Sequence, residues 1–425
     1  MFIGLLLGII SGVLPGIGNA SIMLLVLPVI IKFDPVNLFI CFLSIVISSQ
    51  YVASVTAIYT GIPGAESAIP TSREFPGIHR FGLMRVAIKQ NASASLIGNL
   101  IGLFLFFIIF PFLDDFVLIY KNSLKVGILI FAYLAITYIS KNRLVAIVSI
   151  LMGSFLMTLG FNLHTFETFN LGLPILNNGL DWVSLIMGAL MGSAFYSLEN
   201  STASPITQRK EDILEGSKIG SSVFRGGILG FLIGFVPGLS YILSSNITYL
   251  MESKRQLRKK VKEPIRILNS IAASESAHSS GTLAMLVPLL IFGLPITASE
   301  AVILNLITIN SSLSDIITVL TSNLPSLAFV IIVINLVSFW IALKGRVLVR
   351  LMLKVPLAVL RYVLFVLGFI TIAFASENNL CLDIGTYLLC FFTFSRKDID
   401  PLAFVMAVLL YHHMYNALYL FGELS

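Results

Sequence analysis

Twelve apolar runs, each long enough to cross or enter a bilayer, account for most of the chain. They fall at roughly 2–31, 36–60, 91–111, 124–140, 143–160, 182–198, 223–250, 281–308, 325–343, 355–375, 380–394 and 401–422. A segment in lipid must satisfy its own backbone, so the expected spans are helices. Only 11% of residues are charged and 57% are hydrophobic, with a mean hydropathy of +0.96. A soluble domain carries about 25% charged residues. The sequence therefore predicts an all-α polytopic membrane protein, multi-pass in the cell membrane.

The net charge of +6 does not indicate nucleic acid, because the basic residues sit in short loops between apolar runs. Cys41, Cys381 and Cys390 lie in apolar stretches without metal-ligand or disulfide spacing. The N-terminus has no basic region followed by a small-residue cleavage site, so it does not read as a signal peptide.

Charge assigns the sides. The stretches 64–90, 253–266 and 344–354 are basic; 253–266 alone holds seven basic residues and one acid. The stretches 161–181, 309–325 and 376–383 contain no Lys or Arg. The positive-inside rule makes the first set cytoplasmic and the second external. Lys32, Lys121, Lys125 and Arg361 are the exceptions, and Arg361 is placed to snorkel.

One run breaks the alternation. Both flanks of 226–252 are basic, and Pro237-Gly238 lies near its middle. Proline removes an amide donor and glycine tolerates a sharp bend, so this run reads as a re-entrant hairpin with its tip at 237–240. A single kinked span is the alternative. The same frame occurs at the N-terminus: Gly4, Gly8 and Gly12 precede Pro15-Gly16, as Gly226, Gly230 and Gly234 precede Pro237-Gly238, 222 residues later. It predicts a first hairpin over 4–31, entering from the opposite face. Each half then has a second break, "GIPG" at 61–64 and "GLPI" at 293–296. The expected organisation is two units of inverted topology, 1–200 and 201–425, with about ten crossings.

Inverted repeats give one scaffold two conformations open to opposite sides, and broken helices place free amides and carbonyls at the midplane. That pattern points to alternating-access transport. The glycines at four-residue spacing read as helix-packing positions. The candidate substrate or ion contacts lie at the breaks and beside them: Pro15, Gly16, Gly18, Asn19, Gln50, Ser54, Thr56, Gly61, Pro63, Gly64 and Glu66 in the first half. In the second they are Pro237, Gly238, Ser240, Glu275, Ser276, His278, Gly293, Pro295 and Thr297, with Ser244, Asn246 and Glu300 nearby. An intramembrane acid is costly and usually functional, which singles out Glu275 as an ion ligand or proton carrier. No catalytic residues, resident metal or cofactor are expected; Na⁺ or H⁺ is the expected coupling ion. An intramembrane enzyme would need HExxH or a facing aspartate pair, and neither is present. A passive channel or assembly scaffold remains an alternative.

The order "LPGIGNASIMLLVLP…FDPV", "SSQYVASVTAIYTGIPG" and "FPGIHRFGLMRVAI", with "GFLIGFVPGLS" and "SESAHSSGTLAMLVPLLIFGLP" in the second half, resembles the large membrane subunit of the tripartite tricarboxylate transporters. The resemblance extends to about residue 310. The family's "QYGGS", "IPGE" and "PESANN" stand here as "QYVAS", "IPGAE" and "SESAHS". The resemblance implies a carboxylate permease driven by Na⁺ or H⁺. It further implies, as partners, a small membrane subunit and a periplasmic binding protein, although stand-alone relatives exist; a homo-oligomer is also open.

Overall fold

The computed structural model describes residues 1–14, 18–30, 33–61, 64–65, 68–109, 112, 122–140, 142–161, 168–199, 220–234, 241–292, 295, 297, 299–300, 302–304, 306, 322–352, 356–376, 379–396 and 401–422. In the first half the helices are α1 (Phe2–Val13), α2 (Asn19–Leu25), α3 (Leu27–Ile30), α4 (Pro35–Thr60), α5 (Ile69–Arg73), α6 (Phe75–Arg80), α7 (Met84–Ile109), α8 (Asn122–Ile139), α9 (Arg143–Met157) and α10 (Trp182–Glu199). In the second they are α11 (Gly220–Gly234), α12 (Tyr241–Arg258), α13 (Glu263–Ala284), α14 (Leu286–Phe292), α15 (Leu324–Leu343), α16 (Gly345–Met352), α17 (Leu357–Ala375), α18 (Leu380–Ser395) and α19 (Leu402–Gly422). Among the described residues, α4, α7 and α15 are both long and apolar enough to cross a membrane.

Three features differ from the sequence expectation. A two-residue antiparallel strand pair, Gly160–Phe161 with Thr168–Phe169, interrupts the all-helical pattern between α9 and α10. The stretch 64–90, expected as a loop, contains α5, α6 and the first turns of α7. The largest departure is α13, which begins at Glu263 and carries the serine-rich segment that hydropathy leaves outside the runs. Every residue from Ile267 to Ala284 is buried, so this helix is surrounded by protein and needs no apolar face toward lipid.

Local chemistry fixes the ends of α4. Asp34 caps its N-terminus, accepting from the Asn37 amide at 3.0 Å, with Pro35 in the first turn. Its end is Gly61, at φ +73°, a conformation that an L side chain adopts at a cost.

The glycine frame packs α1 onto α4 and α11 onto α13. A Cβ on Gly4, Gly8 or Gly12 would lie 2.5, 2.4 and 2.4 Å from the carbonyl oxygens of Cys41, Ile45 and Ser49. On Gly226, Gly230 or Gly234 it would lie 2.2, 2.2 and 2.7 Å from those of Ala273, Ala277 and Gly281. The helix partners differ by 232 residues at every step (273 − 41, 277 − 45, 281 − 49) while the glycines differ by 222. A hydrogen bond repeats in the same register: Ser48 Oγ donates to the Leu5 carbonyl at 3.3 Å, and Ser280 Oγ to the Gly227 carbonyl at 2.6 Å. Contacts advance together along each pair, so α1 runs parallel to α4 and α11 parallel to α13. Helix α12 returns antiparallel to α13, with Ser244 Oγ donating to the Ala277 carbonyl and Ser245 Oγ meeting Ser274 Oγ at 2.8 Å.

The helices that follow change sides. Helix α7 packs along α13, where Gly98 and Gly102 press on the backbone of Ser276 and Ser280; α15 packs against α4, where the Tyr51 hydroxyl donates to Asn335 Oδ1 at 3.0 Å. A second group, α8, α9, α10, α17, α18 and α19, packs alongside. Gly188 and Gly192 of α10 abut α18, and Gly153 of α9 abuts α19. Thr371 Oγ1 of α17 donates to the Leu25 carbonyl of α2 at 3.3 Å, joining the two groups.

Candidate functional site

Helices α4 and α13 meet antiparallel, and polar side chains concentrate where they cross. Gln50 Nε2 donates to Ser279 Oγ at 3.1 Å, and Thr282 Oγ1 donates to Gln50 Oε1 at 3.4 Å. One turn away, Ser54 Oγ donates to Glu275 Oε2. Helix α7 supplies the other donor, with Ser95 Oγ bonding to Glu275 Oε1 at 2.8 Å. Glu275 is 2% exposed. Each of its oxygens therefore accepts from a hydroxyl on a different helix, and among the described residues no Lys or Arg reaches it. Hydroxyls stabilise a carboxylate less than a cation does.

A second polar layer adjoins the first. Tyr51, next to Gln50, bonds to Asn335 of α15 and has Asn99 of α7 beside it. Asn99, Asn335 and Ser338 are each 1% exposed. Together the two layers draw on α4, α7, α13 and α15, and both halves of the chain contribute.

Four of the sequence candidates, Gln50, Ser54, Glu275 and His278, lie in this region of α4 and α13. His278, also buried, precedes Ser279 in α13. Other candidates hold the scaffold. Ser276 Oγ donates to the Val223 carbonyl at 2.8 Å, toward α11. Thr56 Oγ1 donates to the Gly12 carbonyl at 3.0 Å, satisfying a group at the end of α1. Gly64 returns to the same place, where an added Cβ would lie 2.2 Å from the Gly12 oxygen. Asn19 Oδ1 accepts from Ser11 Oγ at 2.9 Å, tying the start of α2 to α1 behind Gly18. Thr297 and Glu300 form a reciprocal cap, with the Thr297 amide donating to Glu300 Oε2 at 3.0 Å and the Glu300 amide to Thr297 Oγ1 at 3.3 Å. Pro295 is buried nearby in sequence. Pro15, Gly16, Pro63, Glu66, Pro237, Gly238, Ser240 and Gly293 lie outside the described residues, as do the second expected hairpin tip, 237–240, and residues 15–17 of the first, expected at 15–19.

Ser95, Asn99, Tyr51, Asn335, Ser279 and Thr282 were not among the sequence candidates. The signal for the first two was present: Asn91, Ser95 and Asn99 recur every four residues inside an apolar run, a polar stripe on one helix face.

The chain is 29% identical over 303 residues to a protein of Agrobacterium vitis named "Uncharacterized 52.8 kDa protein in TAR-I ttuC' 3'region", covering 69% of this chain and 60% of that relative. The chain thus spans less than two thirds of that relative's length. No solved structure matches it. Residues 1–395 match the family profile described as "Tripartite tricarboxylate transporter TctA family", a family of membrane permeases, and to this family the chain belongs.

Proposed function

We propose that the chain is a secondary active transporter that moves a small organic anion, of the di- or tricarboxylate class, across the cell membrane by alternating access coupled to Na⁺ or H⁺. The observation that carries this reading is Glu275, an acid buried where α4, α7 and α13 meet and held, among the described residues, only by the hydroxyls of Ser54 and Ser95. Such a group is expensive to keep in a membrane and is suited to taking up a coupling ion. Family membership supplies the solute class and makes an enzyme the weaker reading.

The two halves, 1–200 and 201–425, act in this reading as inverted units. Its support is the common register of α1 on α4 and α11 on α13, together with the antiparallel meeting of α4 and α13. The antiparallel return of α12 supports a hairpin in the second unit. A small membrane subunit and a soluble binding protein are the partners that the tripartite family suggests.

The test is uptake of radiolabelled citrate or tartrate into proteoliposomes under an imposed Na⁺ or proton gradient. Saturable uptake driven by one gradient, and lost in Glu275→Gln, is expected. Conductance that rises linearly with solute and ignores both gradients would favour a channel.

A further inference from the structure

We infer that the outer face of α12, where it leaves the membrane at its basic end, is a binding surface for anionic phospholipid headgroups. The inference is independent of the transported solute. Leu250, Met251 and Leu257 are exposed, at 48, 52 and 55%. Lys254 and Arg258 are exposed on the same side, since positions 250, 251, 254, 257 and 258 share one face of a helix. The opposite face is committed to protein: Ser244, Ser245, Thr248, Glu252 and Gln256 are buried. A face that mixes exposed leucines with long cations suits the boundary between acyl chains and headgroups, with apolar stems in the first and charges in the second.

The charges are numerous, and among the described residues they are uncompensated. Lys254, Arg255, Arg258, Lys259, Lys260 and Lys262 fall within ten residues without an acid between them. The next acid, Glu263, is held by Arg80 at 2.5 Å and by Arg266 at 3.9 Å. Glu252 is turned inward to Arg225 at 2.7 Å. Among the described residues, none of the six cations has a carboxylate within ion-pair distance.

The array is also ordered. Helix α12 ends in a closed turn in which the Val261 amide donates to the Gln256 carbonyl at 3.1 Å and the Lys260 amide to the Leu257 carbonyl at 2.9 Å. Lys260 takes the left-handed position, φ +53°, where glycine is usual. The turn thus carries Lys259, Lys260 and Lys262 directly into α13, whose buried segment contains Glu275. Clustered cations beside a membrane helix attract anionic headgroups.

The test is a titration of the detergent-solubilised full-length protein with fluorescent phosphatidylglycerol and with phosphatidylcholine of the same chains. Wild-type protein should prefer phosphatidylglycerol by at least about tenfold, and the preference should fall by roughly fivefold per charge removed in Lys254→Gln and Arg258→Gln. Lys254→Arg should retain it. On wild-type protein alone, raising salt from about 0.05 to 0.5 M should abolish most of the preference. Equal affinity for both lipids, or a preference indifferent to salt and to the glutamine substitutions, would overturn the inference. Binding of a polyglutamate peptide without any phosphatidylglycerol preference would instead make this a protein-docking face, and would equally overturn it.

Discussion

Thr282 Oγ1 donates to Gln50 Oε1 at 3.4 Å, and these two residues hold the same station in their respective helices. Superposing the glycine registers carries position 50 of α4 onto position 282 of α13, the same 232-residue step that relates Cys41 to Ala273. In the inverted-unit reading proposed above, this contact lies where the two units would be related by a local two-fold. Gln50→Leu should therefore disturb both helices at once. It removes the contacts across the helices, while the Thr282 and Ser279 hydroxyls keep their bonds to the His278 and Glu275 carbonyls, so the loss is about 0.5–1.5 kcal/mol. Thermal unfolding of Gln50→Leu against Gln50→Glu would measure it, and the substituted protein should also transport more slowly.

The Ser95 hydroxyl is one of two donors to Glu275. Ser95→Ala leaves Oε1 buried without its donor, costing about 1–3 kcal/mol if the acid stays charged. Ser95→Ala and Ser54→Ala should each weaken ion-dependent uptake severalfold while preserving the helical content measured by circular dichroism. Unchanged ion dependence in both variants would remove Glu275 from the coupling mechanism.

Glycine substitution should report the shared register. A Cβ at Gly8 meets the Ile45 carbonyl oxygen at 2.4 Å and one at Gly230 meets the Ala277 oxygen at 2.2 Å, backbone contacts that only helix displacement relieves. Gly8→Ala and Gly230→Ala should each destabilise by about 1–3 kcal/mol. Gly127→Ala, at a position with open space around it, should cost far less. The check is thermal unfolding of the three variants side by side.

The glycine frame, the apolar class and the burial of Glu275 were legible in the sequence because each depends on residue type and spacing alone. Helix α13 was not. Its serines, glutamate and histidine lower its hydropathy, and a hydropathy scan detects segments that face lipid rather than segments buried in protein. The 232-residue step was hidden for another reason: the connection between glycine helix and central helix is ten residues longer in the second half (232 − 222), so the partners drop out of the 222-residue frame. Ser95 and Asn99 form a readable polar stripe, but which helices they face, α13 and α4, depends on helices crossing over, which no local pattern encodes.

Asp34 offers a prediction at the membrane edge. Its carboxyl is held below the usual range, chiefly by the Asn37 amide; burial opposes this, and the Asn37 side chain adds to the lowering. A depressed acid contributes stability above its unfolded value and loses it as pH falls through the folded value, so the contribution should be intact at neutral pH and fade below about pH 4. Asp34→Ala should remove about 1 kcal/mol at pH 7 and less at low pH. Melting curves at the two pH values would check both parts.

The crossing over of α7 and α15 has a consequence for biogenesis. When the ribosome has released only the first half, α7 has no α13 to lie against, and Ser95, Gly98 and Gly102 face the bilayer or an insertion chaperone. The core then closes only after the later helices arrive. Severing the gene near residue 210 and expressing the fragments apart should yield products that are degraded singly and rescued when made together.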